Sequence, residues 1–445
     1  MRPHPRFLRQ EGSVPVQPSA PGGPLSVAVL IELLRTPLAG GQVKCWEHFA
    51  DAAADADPAR LGVDLTLYVL GDRPRVEELS PAVRFVALRP VLSTAPLNRG
   101  DGDVSDLAPH HPALARLLPR HDVWHLTHTL AFASTAARLR RRQRRAARPR
   151  PAGLVGSVHT DMPALTEAYV RRMLGPCLDR HPALRALDPP ARCAALMRRR
   201  RDRVLAACDH LLVATPSQEP EMAALVGGGR VSTLGRGLDL DVFRPHPDAR
   251  AELTALGVPR GATAVVFAGR VDASKNVLLL AAAVRRLRAR GGDVHLVVAG
   301  AGPDTERIAA LLGPGATLLG PLPQERLARV VAGGDVFALP SRTETIGNVV
   351  GEAMACGLPV VLPAGTPTNH WLAEPGADGI LVPDDTEEAW ASALGRLADR
   401  PELRAALGER AATTVRARHR TWGRVLTDDL LPVWRGAAGL SATGG

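Results

Sequence analysis

The stretch LPSRTETIGNVVGEAMACGLPVVLP, residues Leu339–Pro363, governs how the rest of the chain is read. It carries two glutamates, Glu344 and Glu352, eight positions apart, with Gly347 between them. Eight residues span about two helical turns, so the spacing predicts both carboxylates on one side of a loop–helix junction. Ile346, Val349, Val350, Ala353 and Met354 around them are apolar, and the run Pro359–Leu362 reads as a buried strand. This predicts a segment packed inside rather than a surface salt-bridge pair. Polar groups held at the end of a buried strand–loop–helix unit point to ligand binding, because burying them without a partner is costly.

Outward from this stretch, short apolar runs alternate with amphipathic segments. Upstream, strands are expected at Ser26–Leu34, Leu65–Leu70, Val83–Leu88, Val123–His128, Gly153–His159, His210–Ala214 and Val231–Leu234. Helices are expected between them at Val43–Ala54, Pro112–Leu118, Ala131–Arg145, Ala164–Met173 and Arg192–Ala207. The segment Gly235–Pro245 (GRGLDLDVFRP) breaks the pattern and reads as a linker, after which the alternation resumes from Ala264. Strands alternating with helices imply parallel sheets covered on both faces. The fold class is therefore α/β, with two Rossmann-like, doubly wound domains in tandem and a ligand cleft between them. The expected layout is a disordered Pro/Gly-rich tail over residues 1–24, a first domain over 25–236 and a second over 237–415. A C-terminal helix and tail over 416–445 is expected to pack back on the first domain.

Bulk properties narrow the function. A chain of 445 residues suits two domains. The net charge of +10 favours anionic ligands, and much of the excess lies in Arg138–Arg150 and Arg198–Arg203. These runs read either as solvated arginine faces or as an attraction to an anionic membrane surface. Aromatic residues make up only 3% of the chain, too few for a stacking platform, so a nucleic-acid partner is not expected. The five cysteines, Cys45, Cys177, Cys193, Cys208 and Cys356, show no metal-ligand or redox spacing and read as free thiols in a reducing, cytoplasmic setting. No apolar run reaches transmembrane length.

Four constellations fall at expected strand ends. Gly40–Gly41 follows the first strand and opens a helix, where backbone amides can approach an anion. Gly269, Arg270 and Lys275 (in FAGRVDASKN) place two cations on a strand-to-helix loop, suited to a diphosphate. Ala299–Pro303 (AGAGP) has the form of a nucleotide-binding glycine turn opening another helix, with Gly302 expected at the donor. The fourth is the glutamate pair, joined by His159 (in GSVHTDMP) at a strand end of the first half, with His125 and His128 less directly placed.

Together these pieces resemble the retaining glycosyltransferases of family 4, which have the GT-B fold. The resemblance rests on the glutamate motif, the GRVDASKN loop, the AGAGP turn and the segment GLDLDVFRP, and spans Ser26 to Trp434. The form of the glutamate motif and SVHTDMPALTEAY are most similar to the branch with sulfolipid synthases and lipid-directed mannosyl- or glucosyltransferases. The resemblance implies that Arg270 and Lys275 bind a donor diphosphate and that Glu344 bonds the donor sugar, helped by backbone amides of Ile346, Gly347 and Asn348. It implies that Glu352 holds the ribose, that Gly41 approaches the diphosphate, and that His159 meets the donor sugar or the acceptor. It further implies sugar transfer from a nucleotide-diphosphate sugar to a lipid or small-molecule hydroxyl, with retention of configuration, no metal and no cofactor. Peripheral contact with an anionic membrane is part of the same expectation.

Two features depart from the family pattern. The run AGTPTNHW leaves Gly365 alone where a glycine-rich turn and an acidic residue are usual, with Asn369 or His370 in the polar place. Asp239–Leu240–Asp241 has the form of a metal-binding DxD but lies in the linker, and no metal is expected there. Two other readings stay open: an epimerase or hydrolase of nucleotide sugars on the same fold, and a basic membrane- or nucleic-acid-binding protein without catalysis.

Overall fold

A computed structural model describes residues 23–36, 40–95, 104–146, 151–159, 161–181, 186–344 and 346–440. Most of the tail expected to be disordered lies outside these residues, as does Thr160. The chain divides into two compact units. One holds the residues up to Gly235 together with those from Trp422 onward; the other is Arg236–Thr421.

The first unit is built on β1 (Leu25–Leu34), β2 (Val63–Leu70), β3 (Arg75–Ser80), β4 (Val83–Leu88), β5 (Val123–Leu126), β6 (Gly153–Val158), β7 (His210–Val213) and β8 (Val231–Thr233). Their order is β3-β4-β2-β1-β5-β6-β7-β8. All pairs are parallel except β3 with β4. The central strand β1, LSVAVLIELL, is apolar almost throughout because both faces are covered. Val27, Val29, Ile31 and Leu33 enter one core with Trp46 and Phe49 of the helix Gly41–Asp55. Ala28 and Leu30 enter the opposite core with Phe132 of the helix Ala131–Arg145. The first of these cores also takes Trp422, Leu426, Leu430 and Trp434 from the C-terminal segment.

Strand β3 was not expected. Its sequence RVEELS has no apolar alternation, since it lies at the sheet edge and is partly exposed. Charge on an edge strand is a common guard against further strand addition. The helix expected at Ala164–Met173 is longer, Met162–Arg180.

The second unit is built on β9 (Thr263–Ala268), β10 (Val294–Ala299), β11 (Ala316–Gly320), β12 (Val336–Ala338), β13 (Val360–Pro363) and β14 (Gly379–Val382). Their order is β11-β10-β9-β12-β13-β14, with every pair parallel. Counted from its own first strand this is 3-2-1-4-5-6, the order of dinucleotide-binding sheets. The winding reverses between β9 and β12 here, and between β1 and β5 in the first unit. Ligands of such sheets bind at the strand carboxyl ends beside the reversal.

The segment read as a linker is anchored rather than free. Leu238 and Phe243 are buried, the Leu238 N–H donates to the Arg420 carbonyl at 3.0 Å, and Asp239 Oδ1 accepts from Asp241 and Val242 N–H at 3.2 and 3.1 Å. Among the described residues no helix is long and apolar enough to cross a membrane.

Candidate functional site

The loops that leave β9 and β12 meet beside the reversal of the second sheet. Ser341 and Thr343, after β12, both donate hydroxyl hydrogens to the Ser274 carbonyl, at 3.0 and 2.9 Å. Next to this tie, Lys275 Nζ lies 2.5 Å from Glu344 Oε1. Lys275 is largely buried, whereas Arg270 is half exposed, with its guanidinium 3.4 Å from Asp272. Asp272 organises the loop by accepting from the Ser274 hydroxyl and from the Ser274 and Lys275 N–H groups. Burial alone would raise the Asp272 carboxyl, but the Ser274 hydrogen bonds and the Arg270 charge outweigh it and hold the carboxyl below its usual range. Asn276 follows in the left-handed conformation, φ 55°, and turns the chain into the helix Val277–Ala289.

These contacts define what the site can do. The ammonium of Lys275 has three N–H donors, so its bond to Glu344 leaves others for a ligand and fixes where they point. Arg270 adds an exposed planar fork suited to phosphate oxygens. Gly347, at φ 65°, turns the chain into the helix Asn348–Ala355, whose N-terminal end opens on the same loop. Asn348 Oδ1 is buried without a hydrogen-bond partner among the described residues, which leaves an acceptor for a ligand hydroxyl.

The two glutamates have different neighbours, not the shared setting their spacing suggested. Glu344 meets Lys275. Glu352 lies within the helix, where burial and the nearby Asp239 carboxylate push its carboxyl up to about 7. The AGAGP turn is explained by close backbone approach. A Cβ on Gly300 would sit 1.8 Å from the Gly269 carbonyl oxygen, and one on Gly302 2.2 Å from that of Val271. The Gly302 N–H donates to Thr305 Oγ1 at 3.1 Å. Gly302 therefore supports the loop bearing Arg270, and its amide is engaged by Thr305.

The first unit brings Gly41, His128 and His159 to its strand ends. Gly41 begins the helix Gly41–Asp55 with open space where a Cβ would be. Gln42 Nε2 donates to the Thr127 carbonyl at 2.8 Å and lies 2.9 Å from His128 Nδ1. His159 is buried just past β6, its Nε2 2.7 Å from Ser157 Oγ and its ring edge-on to Trp46. His125 belongs to the core instead. It is fully buried, accepts the Trp434 indole N–H at 2.9 Å and lies edge-on to Trp46. Burial lowers His125 to about 3 and His128 to about 4, so both rings are neutral at physiological pH.

Sequence reasoning passed over Asp272, Ser274, Ser341, Thr343 and Trp371. Ser274 and Asp272 belong to the same short loop as Lys275 and could have been taken with it. Trp371 gives no local signal, because its partner Ile346 is 25 residues away.

Two reversed parallel sheets with an anion-suited loop pair in the second define a GT-B protein. Residues 262–400 match the family described as "Glycosyl transferases group 1", and this chain carries a group 1 glycosyltransferase domain. A D-inositol 3-phosphate glycosyltransferase of Saccharomonospora viridis is 37% identical over 254 residues, 53% of this chain and 57% of that protein. The matched region thus spans little more than half the length of such relatives. The fold is similar to sucrose-phosphate synthase from Thermosynechococcus elongatus, with a TM-score of 0.67 and 22% identity over 94% of this chain and all of that one. It is also similar to Anabaena HepE, solved with UDP and glucose, with a TM-score of 0.62 and 16% identity over 94% of this chain and all of that one.

Proposed function

We propose that the protein is a retaining, family-4-type glycosyltransferase that moves a sugar from a nucleotide-diphosphate sugar to an acceptor hydroxyl without a metal ion. The observation that carries this reading is the loop pair beside the β9–β12 reversal, with Arg270 and a Lys275–Glu344 pair at the mouth of a helix N-terminus. Arg270 and Lys275 stabilise the charge that develops on the leaving diphosphate. Glu344, oriented by Lys275, holds donor-sugar hydroxyls, and Glu352 holds the ribose. In a same-face transfer the anomeric carbon–phosphate oxygen bond breaks as the bond to the acceptor oxygen forms. The departing phosphate oxygen takes the acceptor's proton, so no protein nucleophile is needed. Asp239 Oδ1 accepts from the N–H groups of its own turn, which supports a structural role for the DxD-like sequence.

In the same reading His159 and Gly41 are assigned to ligand contact as well. The acceptor is a small phosphorylated polyol, a class suggested by the inositol phosphate in the relatives' name and by the basic chain. Arg138, Arg141, Arg142 and Arg145 are exposed, while Arg140 and Arg144 are held by Asp209. The exposed four are assigned to peripheral contact with an anionic membrane surface. Equal, negligible sedimentation with anionic and neutral vesicles would remove that assignment.

The central test is a thermal-shift panel of nucleotide sugars followed by product analysis with inositol phosphates, each with and without EDTA. A true donor at a hundred times its Kd stabilises by about 2.7 kcal/mol. Transfer that persists in EDTA supports the reading; transfer that stops and returns with magnesium or manganese overturns its metal independence. Donor turnover without any acceptor would instead mark an epimerase or hydrolase.

A further inference from the structure

The turn after β13 carries a residue whose contacts reach the candidate donor site. Trp371 ends the 3-10 turn Pro367–Trp371 and is fully buried. Its indole N–H donates to the Ile346 carbonyl at 2.7 Å. Two further contacts fix the ring. Gly351 presses so close that a Cβ there would fall 2.2 Å from it. His419 stacks on it with centroids 4.2 Å apart and planes 29° from parallel. Thr366 and Asn369 hold the turn itself: Asn369 Nδ2 donates to the Pro363 carbonyl and Thr366 N–H to Asn369 Oδ1. Asn369, one of the two residues that stand where the family has an acidic group, is thus spent on the turn.

The Ile346–Gly347 peptide joins this rigid body to the site. A trans peptide points its N–H opposite to its C=O. Tying the Ile346 oxygen to Trp371 therefore turns the Gly347 N–H away from the core. Gly347 sits at φ 65° and begins the turn into the helix Asn348–Ala355. Glycine crosses between backbone regions at little cost, so this peptide would be free to flip without an external anchor. We infer that Trp371 is a positioning residue whose indole N–H holds the Ile346–Gly347 peptide so that the Gly347 amide faces the donor sugar. This rests on the donor-site reading above.

The test separates sugar binding from nucleotide binding. Calorimetry first finds which of UDP, GDP or ADP, and which corresponding nucleotide sugar, the wild type binds. Trp371→Phe keeps a ring against Gly351 and His419 but loses the N–H. The expected result is unchanged affinity for the nucleoside diphosphate, within twofold, and a loss of roughly three- to tenfold for the nucleotide sugar. The donor KM rises in step. Site-specific replacement of Trp371 by benzothienylalanine, which puts sulfur in place of the N–H at nearly constant volume, gives the same reading if the Phe variant fails to fold. Equal loss for both ligands, or no loss for either, overturns the positioning role while the donor site stands. Failure of the wild type to bind any nucleotide or nucleotide sugar overturns the donor-site reading and this inference with it.

Discussion

Beside the reversal of the first sheet, between β1 and β5, stand Gln42, His128 and the buried His125; beside that of the second, between β9 and β12, stand Arg270, Lys275 and Glu344. The strands run in the same order through both reversals. The first reversal is occupied by imidazoles that burial keeps neutral, one of them tied to Trp434 in the core. The second presents fixed charges, each tethered by a neighbour but not silenced. Topology thus supplies a place for a ligand in both units, and the loop side chains decide what that place can attract.

The largest break in this comparison comes from removing the cations. Arg270→Ala or Lys275→Ala should each cost about 2–4 kcal/mol of transition-state stabilisation, measured as kcat/KM for the nucleotide sugar. His128→Gln, in the neutral region, should cost about 1 kcal/mol or less. Comparable losses in all three variants would mean that the charge contrast does not control donor use.

Glycines sharpen the contrast next. Gly300→Ala forces a Cβ against the Gly269 carbonyl and should destabilise the protein by about 1–3 kcal/mol in chemical denaturation. Gly41→Ala meets nothing within 4 Å and should change stability by about 0.5 kcal/mol or less. If Gly41→Ala unfolds the protein as readily, the first loop is packed as tightly as the second and its openness is no sign of ligand access.

The glutamates divide the second region more finely. Glu344→Gln disturbs the partner of Lys275 and should chiefly lower kcat, whereas Glu352→Gln should chiefly raise the donor KM. The opposite pattern in steady-state kinetics would exchange their roles.

The remaining effects are in pH dependence, and they have opposite signs. Glu352 is raised from 4.5 to about 7, so its contribution to stability is present below pH 4.5 and lost as pH rises through 7. His125 is lowered from 6.5 to about 3, so its contribution is present above pH 6.5 and lost as pH falls towards 3. The melting temperature of Glu352→Gln relative to wild type should therefore improve from pH 5 to pH 8. The deficit of His125→Asn should shrink from pH 7 to pH 4. Curves parallel to wild type for both variants would remove burial as the cause of the two shifts.

Much of this was legible in the chain because the signals are local. A continuous apolar run marked β1, and the helical period marked the helix Gly41–Asp55, since a strand covered on both faces is apolar throughout and a helix covered on one face is apolar along a stripe. The loop FAGRVDASKN and the glutamate motif each announced a strand end followed by polar groups. The edge strand β3 escaped because one exposed face and several charges erase the two-residue period.

By itself, the sequence determined the tandem α/β class, the positions of the two loops and the kind of charge that each carries, because periodicity and residue chemistry act over a few neighbours. Only the tertiary structure decided which groups meet. It joined Lys275 to Glu344 across 69 residues and brought the Asp239 charge to bear on Glu352. It withdrew His125 into the core and set the glycines at 300 and 302 against the Gly269 and Val271 carbonyls. It also brought Trp371 to the Ile346 carbonyl. Each of these depends on distances set by strand order and helix packing, which no short window of sequence contains.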